Sequence, residues 1–422
     1  MKHSAEFAKI VGEGKALGYL DGRACFCAGP LPGETALVEV VKAKKTFLEA
    51  TMLEVTKTSA HRGDAREEHF RLCSPWQGVD YDYQLELKRG MLAEIFGRPE
   101  LKLKVQDLVA APEQFGYRNK LEFGLYTSND GRLELAFHAR GSDTNMVPVP
   151  AGCVLGSAAM NTAALAVVER LNELEVGNAA TSLMVRESGM DGQLLAVVGL
   201  ERRLKRDWGR LQIPEIAGVV VSQVRPGHTH ERLWAAGETS LRELVGGVEL
   251  RYPFDGFFQT NVPAFELAFE RILPAVPAGA RVVDLYGGVG AIGLPAAKIA
   301  RSVVGVEVHA VAAEQAAANA ARAGLTNYEA VATPAERLPV DALKAAEVVV
   351  LDPPRAGLDR RVVAALLETA PQRILYLSCN PVTQARDIMM LAEKYQPGTV
   401  TGFDFYPGTL HLESLVALER KA

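Results

Sequence analysis

Arg373-Ile374-Leu375-Tyr376-Leu377-Ser378-Cys379-Asn380-Pro381-Val382-Thr383-Gln384-Ala385 passes from an apolar run through a short polar turn into a helix. The run ending at Leu377 reads as a buried strand, and the apolar positions after Pro381 recur at helical spacing. A strand–turn–helix unit of this kind belongs to an open parallel sheet, whose ligands bind beyond the carboxyl ends of the strands. Cys379 stands at that edge. A thiol there is either a small packing residue or a nucleophile, and most unpaired cysteines are buried and inert.

Working outward, the same alternation begins at Ala280. Strands are expected at 281–285, 303–306, 347–351 and 373–377, with helices near 291–300, 311–323, 360–369 and 382–394. Two closing strands, 400–405 and 414–420, suit an antiparallel edge on a doubly wound α/β sheet. Three further polar features fall on the strand ends. Asp284-Leu285-Tyr286-Gly287-Gly288-Val289-Gly290-Ala291 brings glycines after a strand, where backbone can approach a ligand, and Gly290 opens a helix with free N–H groups. Glu307 ends the next strand, where an acid can accept ribose hydroxyls or simply face solvent. Asp352 is followed by Pro353 and Pro354, which stiffen its loop, so the acid is either a rigid hydrogen-bonding group or part of a helix-entry turn. Near the end, Glu413 leads into an apolar strand, a setting that raises a carboxyl pKa and suits a general base. His411 either orients Glu413 or caps the loop.

The rest of the chain is less specific. Residues 5 to about 60 read as a small all-β unit, with turn signals at Gly29-Pro30-Leu31-Pro32-Gly33. An OB-like barrel fits, and Lys42, Lys44 and Lys45 beside Phe47 are either a nucleic-acid strip or a solvated edge. Cys25 and Cys27 share one face of a strand, which favours packing. Thr58 to Glu68 reads as a polar linker, Asp82 to Phe96 as a helix, and 102–245 as β-rich with one alanine-rich helix near 157–172.

Composition sets the outer bounds. The 422 residues are 48% hydrophobic and 23% charged, ordinary for a globular protein of two or three domains. A net charge of −5 leaves any polyanion to a local basic patch. The five cysteines are scattered, so neither a disulfide framework nor a finger spacing is present. With no membrane-length apolar run and no signal-like start, a cytoplasmic location is expected.

Taken together, five stretches in order resemble the S-adenosylmethionine-dependent RNA uracil-5 methyltransferases, which form 5-methyluridine in tRNA and rRNA. They are Phe257-Phe258-Gln259-Thr260-Asn261, Asp284 to Gly290, Asp352-Pro353-Pro354-Arg355-Ala356-Gly357-Leu358, Leu377 to Pro381, and His411-Leu412-Glu413. The N-terminal unit resembles the TRAM domain of many rRNA members, and Phe115 to Lys120 resembles the segment before the family's β-rich central domain. The resemblance implies a TRAM-like barrel at 1–62, a β-rich central domain at 63–245, and a Rossmann-like class I methyltransferase domain at 246–422.

It also implies a mechanism. Cys379 adds to C6 of the uracil, Glu413 removes the C5 proton, and Asp352 holds the base, while Gln259, Tyr286, Glu307 and Asp352 line the S-adenosylmethionine site. The expected partner is RNA, with 23S rRNA ahead of a T-loop uridine in tRNA, and the chain is expected to act as a monomer. Other readings are a cytosine-5 methyltransferase, an RNA-binding protein on a disabled scaffold, and an oxidoreductase suggested by the glycine spacing. Three departures stand out. Of the four cysteines that hold an iron–sulfur cluster in many members, only Cys73 remains in the clustered segment, with Cys153 at the place of the distant fourth. Two thiols fall short of four-thiolate ligation, so no cluster and no metal are expected. Gly287 stands where a cysteine is common, and Ala291 where some members place a cofactor-contacting asparagine.

Overall fold

A computed structural model describes residues 2–12, 14–139, 142, 144–225 and 229–422. They fall into two compact units, one of residues 1–112, 246–248 and 263–422, the other of 113–245 and 249–262.

The first unit opens with a closed five-stranded barrel formed by Lys2–Val11, Lys15–Leu20, Arg23–Ala28, Thr35–Ala43 and Phe47–Lys57. Alternating side chains fill its interior, among them Phe7, Val38 and Leu48 together with Cys25 and Cys27, which are both fully buried. The loop that follows is more than a spacer. Arg62 pairs with the buried Glu34 at 2.6 Å and donates to the Gly29 carbonyl at 2.8 Å, anchoring the expected linker to the barrel.

The main sheet of this unit has eight strands, in the order Tyr328–Ala332, Ser302–Glu307, Arg281–Leu285, Val348–Leu351, Arg373–Ser378, Glu413–Arg420, Tyr395–Phe403, Val105–Val109. The first five run parallel, and Glu413–Arg420 pairs antiparallel with both of its neighbours. Val348–Leu351 is buried along its whole length, as the inner strand of a doubly covered sheet must be. Four details depart from the sequence expectation. Tyr328–Ala332 adds an edge strand, and Val105–Val109 adds another by pairing parallel with Tyr395–Phe403. Residues 63–112, expected with the central domain, cluster with this unit instead, because Val105–Val109 completes its sheet. The helix expected at 291–300 is confined to Gly293–Ala297.

The second unit is a seven-stranded sheet in which Leu194–Leu200 is buried throughout between Ala180–Glu187 (antiparallel) and Gly218–Arg225 (parallel). The helix Ala158–Glu173 turns Met160, Ala164, Val167 and Leu171 into the core. Ser157 caps it by accepting the Met160 N–H at 3.0 Å.

Candidate active site

Cys379 sits between the end of strand Arg373–Ser378 and helix Pro381–Leu391. Asn380 is the helix cap, accepting the Val382 N–H at 3.1 Å, and Pro381 takes the first helical position, where a missing N–H costs nothing. Ser378 Oγ accepts the Asn380 N–H at 3.1 Å, so the backbone on both sides of the cysteine is held.

The cysteine turn is tied to the acid loop 352–358. The Arg355 carbonyl accepts from Asn380 Nδ2 at 3.0 Å and from Thr383 Oγ1 at 3.1 Å. The buried Asp387 accepts the Leu358 N–H and the Tyr376 hydroxyl, each at 2.8 Å, and pairs with Arg386. Gly357 has φ +78, and a Cβ there would lie 2.5 Å from Asp387 Oδ2, so the turn needs glycine.

The third acid arrives on another segment. Glu413 begins the strand Glu413–Arg420 and is 4% exposed, with its Oε2 buried and without a hydrogen-bond partner among the described residues. Helix Tyr81–Phe96 fixes the loop ahead of it. Lys88, itself fully buried, pairs with Asp404 at 2.6 Å and donates to the Tyr406 carbonyl at 3.1 Å. Gln84 Oε1 accepts the Gly408 N–H at 2.8 Å, and the Trp76 N–H reaches the Gly408 carbonyl at 2.9 Å. His411 meets the Tyr406 ring edge-on, 6.2 Å between centroids.

Electrostatics bring these groups into one set. Burial pushes the Cys379 thiol up to about 12, Glu413 and Asp352 push the same way, and Arg355 opposes them. Burial raises Asp352 to about 7. It drives Glu413 well above the usual carboxylate range, with Asp352 adding to the rise and Tyr406 and Arg355 opposing it. Cys379, Asp352 and Glu413 are thus brought together, with Arg355 as an addition that sequence reasoning had not given a role.

The glycine turn forms a second cluster on the same sheet edge. Glu307 accepts the Gly288 N–H at 3.0 Å and the His309 N–H at 2.8 Å. Asp284, 1% exposed, accepts the Gly293 N–H at 2.8 Å, while its Oδ1 is buried and has no partner. Burial raises this acid to about 7 against the pull of that N–H, with Asp352 and Glu307 adding to the rise. The N–H groups expected to be free after Gly290 are therefore partly taken: Gly293 bonds Asp284, and Leu294 bonds the Gly290 carbonyl. Tyr286 lies at φ +66, an uncommon backbone state for a bulky residue, next to this turn. Asp284 is the residue that motif reading quoted without assigning a task.

Gln259 lies in the second unit. There Asn119 clamps its segment, donating Nδ2–H to the Gln259 carbonyl at 3.0 Å and its backbone N–H to Thr260 at 2.9 Å. Tyr252 stacks on Phe258 with 4.4 Å between centroids.

The family model for tRNA (uracil-5-)-methyltransferases matches residues 251–421, and that for the TRAM domain matches residues 10–53. An uncharacterized RNA methyltransferase of Nitratidesulfovibrio vulgaris is 32% identical over 97% of this chain and 94% of its own length. One from Gloeobacter violaceus is 31% identical, over 95% and 92%. The chain belongs to the RNA uracil-5 methyltransferase family. Among solved structures, the Pyrococcus abyssi tRNA (uracil-54, C5)-methyltransferase in complex with S-adenosyl-L-homocysteine has the same fold. Its TM-score is 0.77 at 24% identity, over 98% of this chain and 100% of that one. In this family setting the TRAM domain is the closed barrel, and Cys379 stands in the methyltransferase domain. Among the described residues no helix is long and apolar enough to cross a membrane.

Proposed function

We propose that this chain methylates C5 of a uridine in RNA through a covalent adduct between Cys379 and C6 of the base. The observation that carries the reading is the convergence on Cys379 of Glu413, Asp352 and Arg355, all of which act on its ionisation, while Asp352 and Arg355 also act on that of Glu413. C5 of uracil is a poor nucleophile, and adding a thiolate to C6 turns the C5–C6 bond into an enolate that can attack. Asp352 hydrogen-bonds the uracil and supports the charge that develops on its carbonyl. After transfer, Glu413 takes the proton from C5, and the electron pair of that C–H bond re-forms the double bond as the cysteine leaves.

The donor site suits S-adenosylmethionine: Glu307 as acceptor for ribose hydroxyls, the turn at Gly288, and the orphaned Asp284 Oδ1 as a buried acceptor facing no partner. When bound there, the donor supplies an electrophilic methyl group. Tyr286 and, from its motif, Gln259 complete the set of residues proposed to hold it. Ribosomal RNA is the target proposed first, on the strength of the TRAM barrel with its exposed Lys44 and Lys45. A T-loop uridine of tRNA is the second reading, favoured by the likeness to the P. abyssi enzyme, which extends over 98% of this chain and so takes in the barrel. We place the enzyme in the cytoplasm, where the Cys379 thiol would stay reduced.

The test is RNA containing 5-fluorouridine, incubated with the protein and S-adenosylmethionine. Fluorine cannot leave as a proton does, so a covalent complex is expected, and Cys379→Ser should lose it. No complex on RNA that the wild type methylates, or one that survives Cys379→Ser, refutes the assignment. Mapping 5-methyluridine in rRNA and tRNA from a strain lacking the gene separates the two target classes.

A further inference from the structure

Three donor side chains of the first unit meet away from Cys379. Glu67, His69 and Cys73 place a carboxylate oxygen, an imidazole nitrogen and a sulfur within 4.8 Å of one another. Glu67 and His69 are 3.2 Å apart, and the carboxylate and imidazole are each only 10% exposed. Their support is built. Gln77, 7% exposed, donates to Glu67 Oε2 at 3.2 Å and to Ser74 Oγ at 2.9 Å, while its Oε1 accepts the backbone N–H groups of Arg66 and Glu67 at 2.7 and 3.1 Å. Ser74 Oγ in turn lies 3.2 Å from Cys73 Sγ.

Cys73 is the remaining thiol of the segment that carries the cluster cysteines in many relatives. One sulfur, one nitrogen and one oxygen do not fit an iron–sulfur cluster, which takes thiolates at its irons. They do fit a single borderline cation. Zinc binds all three donor types, at about 2.3 Å for sulfur and about 2.0–2.2 Å for nitrogen and oxygen. Tetrahedral donors at those lengths stand about 3.3–3.8 Å apart, so the trio needs to close only by about 1 Å. Gln77 plays the part that outer hydrogen bonds play at metal sites, orienting a ligating carboxylate.

We infer that Glu67, His69 and Cys73 supply three ligands of a zinc-type divalent cation site in place of an iron–sulfur cluster. The expectation of a metal-free chain is thereby revised. The cation would fasten the segment that leads to Trp76, whose backbone N–H holds the Gly408 carbonyl in the loop before Glu413.

The test uses untagged full-length protein purified anaerobically. Elemental analysis should find about one zinc per chain and no stoichiometric iron or acid-labile sulfide. His69→Ala and Cys73→Ser should lose the zinc. Protein stripped of metal and titrated with Co2+ should show a thiolate-to-cobalt charge-transfer band that Cys73→Ser lacks. Glu67→Gln, which changes one atom and keeps the fold testable, should weaken Co2+ binding at least about tenfold. Iron with sulfide, wild-type protein that takes up neither zinc nor Co2+, or zinc retained by all three variants would each overturn the proposal.

Discussion

Replacing Asp352 by asparagine should make the protein more stable and less active, with the stability gain growing as pH rises. Burial lifts this carboxyl from 3.8 to about 7. The folded chain therefore holds the proton more tightly than the unfolded chain does. The stability associated with that proton is complete below about pH 4 and is lost as pH rises to about 7, beyond which the loss is constant. At about 1.36 kcal/mol for each tenfold change in proton affinity, the ceiling on the loss is about 4 kcal/mol. About 2–3 kcal/mol of it falls between pH 5 and pH 8. Asparagine keeps the shape and never ionises, so it removes this penalty. Its changed hydrogen bonds contribute equally at all pH values. Asp284 and Glu413 are coupled to Asp352 and both are raised, so relaxing them adds in the same direction. Urea unfolding of both proteins at pH 5 and pH 8 measures the difference, with fluorescence of the buried Trp76 among the signals from the first unit. Methyl transfer by the variant should fall by a factor of about 10² or more. A stability difference that is the same at both pH values, or that shrinks at pH 8, refutes the assignment of a half-buried, proton-binding Asp352.

Glu413→Gln should stall the reaction after methyl transfer, so that unmodified RNA gives a protein–RNA adduct on a denaturing gel; release at the wild-type rate would remove Glu413 as the base. Lys88→Met leaves Asp404 charged and buried, at a cost of about 3–5 kcal/mol in unfolding experiments, while adding Asp404→Leu should restore most of it. A single variant as stable as wild type would show that this pair does not secure the loop before Glu413. The double variant Lys44→Ala, Lys45→Ala should lower the slope of log affinity against log salt by roughly 1.4 for single-stranded RNA, at about 0.7 per phosphate contact. An unchanged slope would return the two lysines to the role of a solvated edge.

What was legible in the sequence follows from burial. Arg281–Leu285, Val348–Leu351 and Arg373–Ser378 are inner parallel strands, so both faces must be apolar and the runs stand out. Tyr328–Ala332 and Val105–Val109 are edge strands whose side chains are nearly all half-buried or exposed, and their mixed composition carries no comparable signal. The same limit hid the polar residues behind the site. Lys88 and Gln84 sit on a helix whose sequence reads as ordinary amphipathic surface, and only the fold shows both facing inward to hold the Asp404–Gly408 loop. Glu67 and His69 fell within or beside a stretch rich in charge, where a donor set looks like solvated linker until Gln77 is seen to organise it. Motif reading singled out the groups proposed to react because their chemistry restricts residue type. It did not find their supports, because many residues can support a loop.

The protonation of the resting site bears on how the reaction starts. Cys379, pushed up to about 12, is a thiol at neutral pH, and a thiol does not add to uracil. The proton has to move as the base arrives. Asp352, raised to about 7, is still partly ionised at neutral pH and can accept one, which leaves Glu413 for the later C5 proton. Moving the proton from sulfur to the Asp352 carboxylate leaves the total charge of the set unchanged, which matters where each uncompensated charge is costly. An acid that helps to hold the thiol neutral is thus also one that can take its proton. Arg355, exposed on the same loop as Asp352, is the cation available to favour the thiolate once RNA covers the site. A nucleophile kept neutral until its substrate is seated is also shielded from oxidation, which proceeds through the thiolate. The high thiol pKa is therefore consistent with catalysis, provided that deprotonation is coupled to binding of the uridine.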